Sequence, residues 1–118
     1  MTFVTADGCR TQLEQLTMLL VSAFPGSTVY QHTELCRAMH DALRNKVDAV
    51  FWEAETGKAK GQDFIKTLRR QKPNVPVFII SKTVVEAEVA DANGYFVLPE
   101  SERQLLDAVR AAKTKEMR

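Results

Sequence analysis

Val47-Asp-Ala-Val-Phe-Trp-Glu53 is an apolar run interrupted only by Asp48 and closed by a carboxylate. Val75-Pro-Val-Phe-Ile-Ile80, further along, is continuous and rich in β-branched residues. A strand of that kind suits the middle of a parallel sheet, where both faces are covered and no polar alternation is needed. Between the two runs, Phe64, Ile65 and Leu68 fall on one side of the segment from Gly61 to Arg70. That spacing is helical. A strand, a helix and a second buried strand in this order make a parallel crossover unit.

Outward from this unit the same alternation continues. Thr2–Thr5 is a short β-type run broken by Asp7 and Gly8. From Arg10 to Phe24, Leu13, Leu16, Leu20 and Phe24 recur at three and four residues, as on an amphipathic helix, and Pro25-Gly26 ends it. Ser27–Gln31 is the second strand. A helix over about Thr33 to Asn45 has Leu35, Cys36, Met39, Ala42 and Leu43 on its expected buried face. His40 lies off that stripe and reads as a solvated surface histidine. Cys36 reads as a small core residue, because free cysteine is commonly buried.

Gly94–Leu98 is a fifth strand. Ser101 offers an N-cap with Gln104 three residues on, and Leu105, Leu106 and Val109 supply the apolar face of the last helix. The charged stretch 113–118 is expected to fray. The whole predicts an α/β fold: a doubly wound, five-stranded parallel sheet with helices on both faces, formed by a single domain over residues 1–118.

Composition excludes several function classes. The chain of 118 residues is 45% hydrophobic and 26% charged, with five Gly and four Pro, which is ordinary for a packed domain. Sixteen Lys and Arg against 15 Asp and Glu leave a net charge of +1, so no long-range field draws it to nucleic acid or anionic membrane. Lys58, Lys60, Lys66, Arg69, Arg70 and Lys72 are interleaved with Glu53, Glu55 and Asp63, and read as a solvated face. Two cysteines, Cys9 and Cys36, are too few for a disulfide scaffold or a zinc site. The start of the chain lacks a signal-peptide pattern, and no apolar run reaches membrane-spanning length, so the expected location is cytoplasmic. Gly57 and Gly61 make no phosphate loop, since no Gly-Lys-Ser/Thr follows. No nucleophile elbow or zinc-protease motif occurs, so no enzyme and no cofactor is expected.

In an open doubly wound sheet, function gathers beyond the carboxyl ends of the strands. Here those ends carry Thr5, Ala6 and Asp7, then Glu53, then Ser81, then Leu98-Pro99. Glu53 closes the third strand, with Gly61 eight residues on, and Gly94-Tyr-Phe-Val-Leu-Pro99 forms the fifth. This constellation resembles the receiver domains of response regulators, the chemotaxis-regulator type, over nearly the whole chain from about Thr2 to Ala112.

The resemblance implies strand order 2-1-3-4-5 and a set of site positions. Glu53 falls where the family has its phosphoacceptor aspartate. Thr5 and Ala6 fall where its acidic pair is expected, leaving Asp7 adjacent. Ser81 and Tyr95 take its switch positions, and Leu98, before Pro99, replaces its lysine. Phosphoryl transfer depends on electrostatic stabilisation, which a missing acid pair, a missing cation and a longer carboxylate remove. A degenerate receiver is therefore expected, without a metal or a catalytic residue, acting through a protein partner such as a kinase, regulator or effector.

The stretch from Ser81 to Leu98 is short for the family, so Val84–Ala92 holds at most an abbreviated fourth helix. Apolar edges of strands four and five would then be available for a homodimer. Two alternatives stay open: a phosphorylation-competent receiver using Asp7 and Glu53, and a flavodoxin-like domain binding a small ligand.

Overall fold

The structure, a computed structural model, describes residues 1–57, 61–82 and 92–116. The strands are β1 (Thr2–Ala6), β2 (Thr28–His32), β3 (Ala49–Glu53), β4 (Val77–Ser81) and β5 (Gly94–Val97). The helices are α1 (Arg10–Ala23), α2 (Leu35–Arg44), α3 (Gly61–Gln71) and α4 (Glu102–Glu116). All strand pairs are parallel, as the strand–helix alternation predicts, and their order is β2-β1-β3-β4-β5, as the resemblance implies. The short helix expected over Val84–Ala92 lies almost wholly outside the described residues, as do Lys58 and Lys60.

Side-chain alternation along the strands builds two cores, one on each face of the sheet. Val4, Ala6, Val50, Trp52, Val77 and Ile79 point to one face and pack with Ala38, Phe64, Ile65 and Leu68 of α2 and α3. Phe3, Ala49, Phe51, Phe78 and Ile80 point to the other and pack with Leu16, Leu20, Leu105 and Val109 of α1 and α4. On that second face Phe24, Phe3, Phe51, Phe78 and Phe96 form a row with ring centroids 5.6–5.8 Å apart. Tilted and edge-on rings at this spacing add to the area they bury. Because β3 and β4 are covered on both sides, their continuous apolar runs needed no polar register. That is why they were the clearest signal in the sequence.

Two local expectations change. Cys36 is exposed rather than packed. The buried residues of α2 are Leu35, Ala38 and Ala42, which turns the stripe away from position 36. The other is the tail. α4 continues to Glu116, and Lys113, where fraying was expected to begin, donates to Asp48 Oδ1 at 2.9 Å. Asp48 Oδ2 also accepts from the Thr2 backbone N–H at 2.7 Å, so this one carboxylate joins the start of β1, the approach to β3 and the end of α4. Among the described residues no helix is long and apolar enough to cross a membrane.

Candidate functional site

The carboxyl ends of β1, β3 and β4 open on a cleft of about 280 Å³. Its polar lining includes Asp7, Gln12, Glu53 and Lys82, and its apolar wall includes Leu16, Leu19 and Leu98. A shallower depression on the other side of Asp7 and Glu53 is lined by Gly8, Cys9 and Thr56.

Asp7 follows β1 directly and is 1% exposed. Its Oδ1 accepts from the Cys9 N–H at 2.8 Å. The hydrogen-bond network fixes the orientation of the Gln12 amide: its nitrogen donates to Asp7 Oδ2 at 3.1 Å, and its oxygen accepts from Lys82 Nζ at 2.8 Å. Burial pushes the Asp7 carboxyl above the usual aspartate value; the Cys9 N–H opposes this, the Glu53 charge adds to it, and Lys82 opposes it.

Glu53, at the end of β3, is held by its own loop. Its Oε1 accepts from the Glu55 N–H at 3.1 Å, and its Oε2 accepts from Thr56 Oγ1 at 2.8 Å. Thr56 is 9% exposed, and its hydroxyl in turn accepts from the Gly8 N–H at 2.8 Å. The Thr56 carbonyl receives the indole N–H of Trp52. Gly57 then turns the chain at φ +61° with its Cα against Leu35: a Cβ there would lie 2.8 Å from the Leu35 Cβ. Each of these contacts pins the residues after β3, and Glu53 with them.

Of Thr5 and Ala6, expected at the acidic pair, and the adjacent Asp7, only Asp7 lines the cleft. Ala6 is fully buried in the α2–α3 core, and Thr5 is fully buried with its hydroxyl 3.5 Å from the Tyr30 carbonyl oxygen. Ser81 lines the cleft. Tyr95 is not part of its lining and is 37% exposed. Leu98 packs on the α1–α4 core and lines the cleft; its N–H donates to the Ser81 carbonyl at 2.8 Å, and the Leu98–Pro99 peptide is cis.

Sequence reasoning missed Lys82, Gln12 and Thr56. It sought the cleft's cation before Pro99, at Leu98, whereas the structure supplies one from the residue after β4. A positional signal was available: Lys82 follows β4 directly, and the crevice lies beyond the carboxyl ends of the strands.

A divalent ion of the kind receivers use does not fit these residues. Magnesium demands near-octahedral oxygen coordination. Asp7 and Glu53 are the carboxylates at the ends of β1 and β3, a methyl stands at Ala6, and all four of their oxygens already accept hydrogen bonds. Among the described residues no cluster of three or more His, Cys, Asp or Glu could hold a metal.

No family model and no curated protein matches the sequence. Solved structures match the fold. A response regulator receiver domain protein from Clostridium thermocellum is 19% identical with a TM-score of 0.80, over 98% of this chain and 96% of that one. The receiver domain of a sensor histidine kinase from Pseudomonas aeruginosa PAO1, with a magnesium ion in its active-site cleft, is 16% identical with a TM-score of 0.78, over 93% and 94%. A response regulator from Burkholderia pseudomallei with a phosphorylated aspartic acid is 18% identical with a TM-score of 0.74, over 98% of this chain and 72% of that one. The chain is similar to receiver domains in fold, strand order included.

Proposed function

We propose that this chain is a receiver-type domain in a two-component or related regulatory pathway, and that it signals by binding a protein partner without being phosphorylated. The observation that carries the reading is the state of Glu53. Its carboxylate is bonded to Thr56 and Glu55 of its own loop, and so serves as a tie. A nucleophile needs a free, metal-polarised environment and a cation for the incoming charge. Leu98 and Ala6 remove the usual suppliers of both.

With its reactive groups tied down, the domain has shape and charge to offer rather than a reaction. Its partner is a kinase, regulator or effector protein. A homodimer through the region of strands four and five belongs to the same reading: β5 is a sheet edge, with Tyr95 37% exposed on it. Sedimentation equilibrium across a hundredfold range of concentration tests the dimer, and a constant monomer mass rejects it.

The test of the function uses Trp52, the one tryptophan of the chain, next to Glu53 and bonded to the Thr56 carbonyl. Its emission is followed on addition of Mg²⁺ and then beryllofluoride, a phosphoryl mimic. The expected result is no saturable change. A saturable change that requires both would contradict the reading.

A further inference from the structure

In a cleft lined by several carboxylates, something must offset the charge, because neighbouring like charges raise each other's cost of ionisation. Asp7 is 1% exposed, and Glu53 lines the same cleft from the end of β3. Glu102, at the start of α4, lines it as well. The lysine expected before Pro99 is Leu98, so β5 brings no cation.

Lys82 comes instead from the end of β4. Its ammonium donates to the Gln12 side-chain oxygen at 2.8 Å, and the nitrogen of that same amide donates to Asp7 Oδ2 at 3.1 Å. The amide is therefore polarised from both ends: a cation on its oxygen strengthens its N–H as a donor to the carboxylate. Gln12 lies on α1, so the relay also links the carboxyl ends of β1 and β4 through that helix.

We propose that Lys82 is the built-in counter-ion of this cleft, acting on Asp7 through the Gln12 amide in the place of a diffusible cation. The chain β4–Lys82–Gln12–Asp7 then does two things. It lets the buried carboxylate persist as a charge without a metal, and it holds the residue that leads out of β4 against α1. A partner that draws Lys82 away would expose an uncompensated pair of carboxylates. The sheet's carboxyl edge would thus answer to binding at the end of β4. The inference deepens the metal-independent part of the proposed function, but its geometry stands apart from whether Glu53 can be phosphorylated.

The test is a double-mutant cycle in thermal midpoint at pH 7 on the whole chain, with Lys82→Met and Asp7→Asn singly and together. Lys82→Met is expected to lower the midpoint by about 2–4 °C, the shift that a coupling of an exposed cation to a buried neighbour gives in a domain of this size. In the Asp7→Asn background the same change is expected to have almost no effect. Lys82→Arg keeps the charge and is expected to retain most of the midpoint, a rescue that simple loss of packing would not show. Gln12→Leu is expected to abolish the coupling between positions 82 and 7, and 0.5 M NaCl to weaken it.

Equal effects of Lys82→Met with and without Asp7 would overturn the proposal. So would a coupling that survives Gln12→Leu unchanged, since the relay would then have no part in it. A lost coupling in a protein that also takes no phosphoryl group removes this inference alone. A phosphoryl adduct in a protein whose coupling is intact removes the proposed function instead.

Discussion

Thr56→Val isolates the tie that holds Glu53. Valine has nearly the shape of threonine, so the pocket around a residue that is 9% exposed stays filled and only the hydroxyl is lost. That hydroxyl makes two bonds of 2.8 Å, one donated to Glu53 Oε2 and one accepted from the Gly8 N–H. A hydrogen bond to a charged acceptor contributes about 1.5–3 kcal/mol net. Glu53 is only half-buried and Gly8 is exposed, so water recovers part of the first bond and most of the second. The expected cost is therefore about 1–2 kcal/mol.

For 118 residues the unfolding entropy is about 0.25 kcal/mol/K, which converts that cost to a fall of about 4–8 °C in Tm. Circular dichroism melts at pH 7 measure it directly. In a Glu53→Ala background the loss is expected to fall to about half or less, because the charged partner is already gone. A Tm change under 2 °C, or an identical change with and without Glu53, would refute the view that Glu53 is bound into its own loop.

Gly57→Ala is expected to destabilise by about 1–3 kcal/mol in urea unfolding, because a side chain is strained at positive φ and the new methyl meets Leu35. Asp48 is opposed by burial but held below the usual aspartate range by Lys113, Thr2 and the N-terminal ammonium. Its stabilisation is therefore full above pH 3.8 and is lost as pH falls through the lower folded-state value; Asp48→Asn is expected to lower Tm at pH 7 and to flatten its fall below pH 3.8. Asp7 has the opposite sign. Its folded-state value is raised, so its ionisation erodes stability as pH rises from 3.8 through that value, and the Tm difference between Asp7→Asn and the parent is expected to grow over this window.

How far the sequence can be read depends on what kind of signal each feature leaves. The parallel layering was legible because β3 and β4 need unbroken apolar runs, while α1 and α4 need one stripe each; the strand order came only from the resemblance to receivers. Of the positions singled out in the sequence, Asp7, Glu53, Ser81, Leu98 and Pro99 line one cleft, and Thr5, Ala6 and Tyr95 do not. What joins them was not legible. The bond from Lys82 to Gln12 spans seventy positions of chain, and the Thr56 hydroxyl reaches Gly8 across 48. Neither pairing has a local periodicity to announce it. Cys36 shows the limit on a smaller scale, since a helical stripe read from five residues turns when Ala38, two positions on, takes the place of Cys36 in the core.

Intact mass after incubation with Mg²⁺ and a small-molecule phosphodonor, the native chain beside Glu53→Asp, tests the central claim most directly. The native chain is expected to keep its mass. A stoichiometric phosphoryl adduct on it, mapped to Glu53 or Asp7, would contradict a phosphorylation-independent receiver and return the protein to phosphoryl transfer.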